Sequence, residues 1–327
     1  MRVGMDVSPL VQTRAGTARY INGLLRELRG RDEIDIEPLR FGGAARAWNF
    51  PRDAVWYPLV LPRVARGLDV LHCPTYRGPV VGGVPVVVTV HDLAVFRHPA
   101  AFNRWSRWYG PRVVPRVLRV ARRVIAVSEF TKRELVDVLG VAAEKIRVIP
   151  NAVEPLFTND GPAADGDYVL AVGTLEPRKN LVRVADAARR AGVELRVVGA
   201  RGWGGVAVGG NGVRWLGEVS DDELVRLYRG ARCVAYPSLY EGFGIPVLEA
   251  MACGTPVVTS RGGATEEVAD GAAVLVDPQD PADIAAGIER AIRDRTELAS
   301  RGLERARAFS WTAIADATVA VYHEAAG

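Results

Sequence analysis

Short apolar runs alternate with segments of helical periodicity along the whole chain, in the order typical of α/β proteins. Runs that are apolar throughout, such as residues 85–92 and 168–173, predict strands buried on both faces. Apolar side chains spaced three and four residues apart, as from Tyr20 to Leu28, predict the intervening helices. The predicted strands are residues 1–7, 69–73, 85–92, 124–127, 146–151, 168–173, 195–199, 213–217, 234–238, 256–260 and 274–278.

The strand–helix pattern occurs twice. Because a chain of 327 residues is longer than one hydrophobic core usually serves, we predict two domains. The first domain is expected at residues 1–158 and the second at 168–309. Residues 159–167, rich in Gly, Pro and Asp, are the expected linker. Residues 310–327 are predicted to form a separate helix capped by Ser310.

The most informative local motif is a strand-to-helix turn, Glu241-Gly242-Phe243-Gly244, followed by a short helix with a second acid, Glu249. Such turns lie at the carboxyl edge of a parallel sheet, where ligands bind. The two glycines let main-chain amides approach a phosphate at the helix start, and each carboxylate can accept two hydrogen bonds from a sugar diol. The alternative is an ordinary loop acid and an ordinary helix charge.

Adjacent cations lie at a similar place, because the predicted strand 168–173 turns into Arg178 and Lys179. A guanidinium fork and a compact ammonium group together can neutralise a diphosphate. The alternative is an exposed, solvated pair.

The first half offers three candidate residues. His91 ends the predicted strand 85–92, and Gly16 with Thr17 begins the helix that follows the first strand. We expect His91 to contact a ligand, and Gly16 and Thr17 to dock a phosphate or an acceptor. A core histidine and a simple helix cap are the alternatives.

Composition is that of a globular protein, 49% hydrophobic and 24% charged. The chain contains no run of eighteen apolar residues, and its beginning lacks the charged and apolar regions of a signal peptide. We therefore expect a cytoplasmic protein, at most peripheral at the inner face of the membrane. Three cysteines without C-x-x-C spacing indicate buried small hydrophobes rather than disulfides or zinc ligands.

Charge is unevenly divided, with a formal net charge of +10 through residue 158 and −6 beyond it. Residues 102–124 contain seven arginines and no acid, interleaved with Trp105, Trp108 and Tyr109. This pattern is typical of a cationic amphipathic segment that can lie on an anionic membrane or grip a lipid-diphosphate acceptor. The alternative is a solvated helix face in a chain with 39 arginines and three lysines.

The ordered set of motifs resembles glycosyltransferase family 4, the retaining enzymes of the GT-B fold. The resemblance is most specific in Glu-Gly-Phe-Gly-x-Pro-x-x-Glu, from Glu241 to Glu249. It implies an α/β fold with two Rossmann-like domains facing across a cleft. The first domain is then the acceptor side, the second binds the nucleotide-sugar, and residues 310–327 cross back to the first. The supporting motifs lie at residues 90–92, 127–131, 149–151 and 173–180.

The resemblance also implies residue roles. Arg178 and Lys179 hold the diphosphate, Glu249 binds the ribose diol, Glu241 contacts the donor sugar, and His91 lies near the reacting sugar. Catalytic roles therefore fall to His91 and Glu241. The implied donor-binding residues are Gly16, Thr17, Arg178, Lys179, Gly242, Phe243, Gly244 and Glu249.

Two positions depart from the family pattern, since Ala18 and Ala152 occupy places where glycine is usual.

No metal or cofactor is expected, because two cations and helix-end amides can stabilise the leaving diphosphate. Asp165 and Asp167 in the predicted linker are interpreted as solvated loop acids.

We therefore expect a retaining transferase that moves a hexose from a nucleoside-diphosphate sugar to a hydroxyl of a glycan or glycolipid, with no nucleic-acid partner. Similarity to bacterial mannosyltransferases of surface-polysaccharide assembly makes GDP-mannose the first candidate donor. The alternatives are a sugar-nucleotide epimerase or a phosphorylase of the same fold, and a catalytically silent nucleotide-sugar-binding partner. A dinucleotide oxidoreductase is disfavoured, because neither half places Gly-x-Gly-x-x-Gly between strand and helix.

Overall fold

The chain forms two compact units in a computed structural model that describes residues 1–11, 16–202, 205–206 and 209–327. Unit 1 comprises Met1–Ala152 together with Ser310–Gly327, and unit 2 comprises Val153–Phe309. Each unit contains one six-stranded sheet whose paired strands all run parallel.

The strands alternate with helices in both units, as βα repeats require. The strands of unit 1 are β1 Arg2–Asp6, β2 Asp35–Leu39, β3 Val70–Cys73, β4 Val86–Val90, β5 Arg123–Ala126 and β6 Ile146–Val148. Those of unit 2 are β7 Tyr168–Val172, β8 Glu194–Val198, β9 Val213–Gly217, β10 Cys233–Tyr236, β11 Val257–Ser260 and β12 Val274–Val276.

The helices include one unusual segment, a π-helix at Arg52–Val60 that contains Pro58. The α-helices are α1 Gly16–Leu28, α2 Asn49–Pro51, α3 Leu61–Val64, α4 Ala94–Arg97, α5 Arg104–Val120, α6 Glu129–Leu139, α7 Leu181–Arg190, α8 Asp221–Gly230, α9 Ile245–Ala252, α10 Ala264–Ala269, α11 Pro281–Arg293, α12 Arg295–Ala306 and α13 Trp311–Ala326. Short 3₁₀ turns occur at Ser8–Val11, Arg46–Trp48, Pro99–Ala101, Ala143–Lys145 and Pro177–Lys179.

Strand β4 shows why the apolar runs are continuous. Val86, Val88 and Val90 pack into a core that includes α5, whereas Val87 packs into a second core with α1 and α13. Successive side chains point to opposite faces of a sheet, so a strand covered on both faces needs apolar residues throughout.

The order of the strands places a switch point in each sheet, where successive connections leave in opposite directions. In unit 1 the order is β2-β1-β3-β4-β5-β6, so the switch lies between β1 and β3. In unit 2 the order is β12-β11-β10-β7-β8-β9, so the switch lies between β7 and β10. Ligands of doubly wound folds bind beyond the carboxyl ends of the strands at such points.

Several local predictions are confirmed. Ser310 caps α13 by accepting a hydrogen bond from the Ala313 amide, and residues 310–327 belong to unit 1. Ser128 likewise caps α6, since its hydroxyl accepts from the Thr131 amide at 3.0 Å. The sequence 283–309, rich in helix-forming residues, lies mostly in two helices, α11 and α12.

The expected linker, residues 159–167, lies inside unit 2, as does the predicted boundary after residue 158. Side chains and backbone of α8 hold this segment. Arg229 donates to the Thr158 carbonyl at 2.8 Å, and the Ala164 amide donates to the Arg226 carbonyl at 2.8 Å. These bonds attach the polar stretch to α8 of unit 2, a contact that its composition does not reveal.

Candidate functional site

The switch point of unit 2 brings together two charged motifs that lie far apart in the sequence. The loop after β7 contains Arg178 and Lys179, and the loop after β10 contains Glu241. Because both strands end at the same edge of the sheet, residues about sixty positions apart become neighbours.

Glu241 is the acceptor at the centre of this cluster. Lys179 Nζ donates to its Oε1 at 2.6 Å, and Arg178 Nη1 donates to its Oε2 at 3.0 Å. The Tyr236 hydroxyl lies 2.9 Å from Oε1 and also accepts from Lys179 Nζ at 2.6 Å. Arg178 Nε donates in addition to Glu176 Oε2 at 2.8 Å. The two cations are therefore ion-paired and largely shielded, not an exposed pair.

Electrostatics keep the Glu241 carboxylate charged. Burial alone would raise its pKa, but the charges of Lys179 and Arg178 outweigh burial and lower the pKa to about 2. Burial lowers the pKa of Lys179, and Glu241 opposes that change. Burial and the Glu241 charge together raise the pKa of Tyr236 well above its usual value. The site thus holds an anion among donors at neutral pH.

Two glycines allow the loop after β7 to pass close to its neighbour. Gly173 and Gly199 have φ values of 153° and 151°, which L side chains rarely adopt. A Cβ on Gly199 would lie 2.1 Å from the Gly173 carbonyl oxygen, and a Cβ on Gly173 would lie 3.2 Å from Lys179 Cδ. Both positions therefore need glycine for Lys179 to reach the site.

Asn180 fixes the cation loop to its neighbours, a role that sequence reasoning missed. Its backbone is left-handed, with φ of 60°, which asparagine tolerates better than most residues. Its Nδ2 donates to the carbonyls of Pro237 at 2.9 Å and Pro278 at 2.6 Å. The sequence feature that could have indicated this role is an asparagine directly before a helix. Tyr236, at the end of β10, was missed as well.

The glycine-rich turn places the helix start as predicted. Gly244 has φ of 106° and precedes the first residue of α9, and a Cβ there would lie 2.8 Å from Thr265 Cγ2. Gly242 lies in the same turn. Phe243, assigned to donor binding, is buried and packs edge-on against Phe309 with ring centroids 5.8 Å apart. Its contacts are those of a core residue that supports the turn.

Glu249 lies on the helix that follows the glycine-rich turn. It is buried within α9, and its Oε2 accepts a hydrogen bond from the Tyr228 hydroxyl at 2.8 Å. Tyr228 lies on α8, so this contact connects two helices of unit 2. Its assignment to the ribose diol stays a prediction.

His91 follows β4 in unit 1, at the carboxyl edge of that sheet. Its Nε2 lies 3.0 Å from the Pro74 carbonyl oxygen, and the Tyr20 ring contacts it edge-on with centroids 4.9 Å apart. Burial lowers the pKa of His91, although the Pro74 carbonyl opposes this. Because a carbonyl only accepts, Nε2 carries the proton and Nδ1 of the neutral ring is the acceptor. Gly16 and Thr17 begin α1.

Within the described residues, no three His, Cys, Asp or Glu side chains are grouped to hold a metal ion. Nor is any described helix both long and apolar enough to cross a bilayer. Segment 102–124 contains α5, whose buried face includes Val114 and Val117, while Trp108 is 46% exposed. Contact with a membrane stays a prediction.

Two Rossmann-like α/β units, with cations and a carboxylate at the switch point of the second, define a glycosyltransferase of the GT-B fold. The model for Glycosyltransferase Family 4 matches residues 15–155, and that for Glycosyl transferases group 1 matches residues 156–309. The chain belongs to glycosyltransferase family 4 and is a glycosyltransferase. The predicted α/β fold class and the family resemblance are thereby confirmed.

Similar proteins cover most of the chain. O-antigen chain mannosyltransferase B of Escherichia coli is 32% identical, over 72% of this chain and 69% of its own. A D-inositol 3-phosphate glycosyltransferase of Geodermatophilus obscurus is 32% identical over 99% of this chain and 79% of its own.

Solved structures show the same fold. Sucrose-phosphate synthase of Thermosynechococcus elongatus has a TM-score of 0.79 and 20% identity, covering 99% of this chain and 98% of that one. Anabaena HepE, in complex with UDP-glucose, has a TM-score of 0.73 and 20% identity, covering 98% and 99%.

Proposed function

We propose that this glycosyltransferase moves a hexose from a nucleoside-diphosphate sugar to a hydroxyl of a glycan or glycolipid, with retention of anomeric configuration. Mannose from GDP-mannose is the first candidate. The observation that carries the proposal is the cluster of Arg178, Lys179 and Glu241 at the switch point of unit 2. The similarity to an O-antigen mannosyltransferase supports the choice of sugar and of a glycan acceptor.

The cluster is suited to a leaving diphosphate. Arg178 supplies a planar fork and Lys179 a point charge, and both are fixed by hydrogen bonds before any ligand arrives. Donors that are already oriented stabilise developing charge without reorganisation at the moment of reaction. A diphosphate bound here would share the cations now paired with Glu241. The carboxylate would then be available to accept hydrogen bonds from hydroxyls of the donor sugar.

In this proposal the acceptor attacks from the face that the diphosphate leaves, which retains configuration. His91, whose lowered pKa favours the neutral ring, lies near the reacting sugar. Gly16 and Thr17, which begin α1, approach the phosphate. Glu249 binds the ribose diol, for which it would exchange its bond with Tyr228. No metal is required, because Arg178 and Lys179 supply the positive charge that the diphosphate needs.

Three experiments test the proposal. A thermal-shift screen of GDP, UDP and ADP sugars identifies the donor, since a ligand at about a hundred times its Kd adds about 2.7 kcal/mol of stability. NMR of the product distinguishes retention from inversion. Lys179→Ala and Glu249→Gln should both slow transfer, and transfer at the parental rate by both variants would refute the site.

The alternatives predict other outcomes in the same assays. An epimerase converts the donor without any acceptor alcohol, and a phosphorylase releases the sugar with inorganic phosphate. A silent binding partner shifts the melting temperature but turns nothing over. The intact charged cluster favours turnover over silence.

We also propose peripheral contact with an anionic membrane through α5. Arg104, Arg107 and Arg112 are exposed on this helix, beside the exposed ring of Trp108. The guanidinium of Arg112 lies 5.5 Å above that ring. Basic groups next to an exposed aromatic ring suit a lipid headgroup region.

A further inference from the structure

A second cluster of buried polar side chains lies at the switch point of unit 1. Asp6 is the last residue of β1, and Arg77 lies in the loop that follows β3, so both belong to the carboxyl edge between these strands. The π-helix Arg52–Val60 adds Arg52 and Asp53, both buried. π-Helical turns occur frequently at functional sites. None of these residues belongs to the site in unit 2.

Arg52 is the most unusual member, because its guanidinium is buried without enough partners. The residue is 1% exposed, and its Nη2 makes only a long bond of 3.4 Å to the Gly43 carbonyl. Its Nε and Nη1 have no hydrogen-bond partner in the described part of the chain. A buried charged donor left unpaired is costly, so native structures retain one where something else completes it.

Tyr109 of α5 adds a second open donor to the cluster. It is 3% exposed, and its hydroxyl likewise lacks a partner among the described residues. Beneath it, Arg77 is held in place, with its guanidinium 5.5 Å from the Tyr109 ring centroid and its Nε 2.9 Å from Asp53 Oδ1. Trp105 Nε1 donates to the other Asp53 oxygen at 2.7 Å. These contacts fix Arg77 and occupy the carboxylate that would otherwise compete for Arg52.

Asp6 is the second carboxyl of the cluster, and its Oδ2, like the hydroxyl of the buried Tyr57, has no hydrogen-bond partner among the described residues. Its Oδ1 accepts from the amide and hydroxyl of Ser8, at 3.2 and 2.6 Å, and from Trp56 Nε1 at 3.3 Å. Burial raises the pKa of Asp6, although these hydrogen bonds oppose the rise. The cluster therefore holds two guanidinium groups and two carboxyls, and burial favours the uncharged form of Asp6, which leaves Asp53 as the firmly paired carboxylate.

The surface beside the cluster is apolar and exposed. Phe50 precedes the π-helix and is 62% exposed, and Leu59 within it is 49% exposed. The Phe50 ring contacts Trp105 edge-on at 5.4 Å, and Trp105 stacks on Trp108 at 5.2 Å. An apolar substituent on a group bound by Arg52 could pack against these exposed side chains.

We propose that Arg52, Arg77 and Tyr109 form a subsite for a phosphoryl group of the acceptor. The subsite borders His91, whose Nε2 contacts the carbonyl of Pro74 in the same loop as Arg77. A phosphoryl group presents several oxygens to the open N–H groups of Arg52 and the hydroxyl of Tyr109, and guanidinium groups recognise phosphate well. The inference rests on the proposed function, because it names the chemical class of the acceptor.

The test measures direct binding of small probes to the 327-residue chain by calorimetry. The probes are hexyl phosphate, inorganic phosphate, hexanoate and hexyl glucoside, and all titrations use a Lys179→Ala background, which takes away one of the two cations of the proposed diphosphate site in unit 2. We expect hexyl phosphate to bind, and Arg52→Met to weaken it about ten- to a hundredfold. Tyr109→Phe should weaken it about tenfold, and the exposed control Arg66→Met should leave it unchanged.

Both variants of the subsite should remain folded. Arg52→Met removes a buried cation, and Tyr109→Phe removes a hydroxyl with no partner in the described structure, so neither should lower the melting temperature. A lower melting temperature for Arg52→Met with unchanged hexyl phosphate binding would show a purely structural arginine and overturn the proposal. Equal binding of hexanoate or of hexyl glucoside would overturn it too.

The probes also distinguish two sources of the phosphoryl group. Tighter binding of hexyl phosphate than of inorganic phosphate supports a lipid-linked acceptor, and equal binding supports a soluble phosphorylated one. The failure of the subsite can be distinguished from the failure of the proposed function. Transfer activity without Arg52-dependent phosphate binding refutes the subsite alone, whereas phosphate binding without transfer from any nucleotide sugar refutes the proposed function alone.

Discussion

Replacing Glu241 by glutamine should reduce the fall in the free energy of unfolding that the protein shows as pH drops below about 4.5. The carboxylate has a pKa of about 2 in the folded chain against a model value of 4.5, because Lys179 and Arg178 outweigh its burial. A group with a depressed folded pKa stabilises the native state above its unfolded pKa, and this stability is lost as pH falls toward the folded value. At 1.36 kcal/mol per unit, the contribution is about 3 kcal/mol.

That figure is an upper value, since the buried Lys179 shares the interaction and burial disfavours its charge. The assay is urea unfolding between pH 2.5 and 7, followed by tryptophan fluorescence, to which Trp215 beside the Gly199 carbonyl of unit 2 contributes. The parent should lose up to about 3 kcal/mol more than Glu241→Gln as pH falls below about 4.5. The exposed control Glu218→Gln should follow the parent. Parallel curves for the parent and Glu241→Gln would refute the ion-paired site.

Three further changes test other parts of the structure. Gly199→Ala should destabilise unit 2 by at least about 2 kcal/mol in urea unfolding, because its Cβ would lie 2.1 Å from the Gly173 carbonyl oxygen. Tyr322→Phe should lower the stability of unit 1 by about 1–3 kcal/mol, since it removes the hydroxyl 2.7 Å from Nδ1 of the buried His72. Arg107→Glu should reduce sedimentation with anionic vesicles at 0.1 M salt, and less so at 0.5 M salt.

Each of these predictions has its own control. Gly30→Ala should change stability by less than about 0.5 kcal/mol, because no atom lies within 4 Å of the added Cβ. Thr312→Ala, at an exposed position of α13, should leave the unfolding of unit 1 nearly unchanged. Vesicles without anionic lipid should not sediment the parent. Equal loss in Gly30→Ala and Gly199→Ala would contradict the close approach of the two loops.

The strands were predictable because burial on both faces leaves a continuous apolar run, as in β4. Strand β2 escaped prediction since it lies at an edge of its sheet and carries Asp35, Glu37 and Pro38, which leaves little apolar pattern. The π-helix Arg52–Val60 escaped for a related reason. Two of its four buried residues, Arg52 and Asp53, are charged, so the buried face does not form an apolar stripe, and Pro58 interrupts the helical pattern.

The candidate site was predictable in its components but not in its pairing. Sequence motifs predict Arg178, Lys179 and Glu241 as donor ligands, whereas only the fold shows that Glu241 accepts bonds from both cations. For Glu249, by contrast, no feature of the sequence indicated its partner. Its bond to Tyr228 depends on how α8 packs against α9, and no local pattern records such a contact.

The central claim is that Lys179 and Arg178 hold the diphosphate of the donor. Calorimetric titration of the nucleoside diphosphate selected by the thermal-shift screen tests it most directly, with Lys179→Ala compared against Lys132→Ala. Loss of a charge-assisted contact of about 1.5–3 kcal/mol should weaken binding about ten- to a hundredfold for Lys179→Ala and leave Lys132→Ala like the parent. Parental affinity in Lys179→Ala would contradict the assignment of the donor site to unit 2.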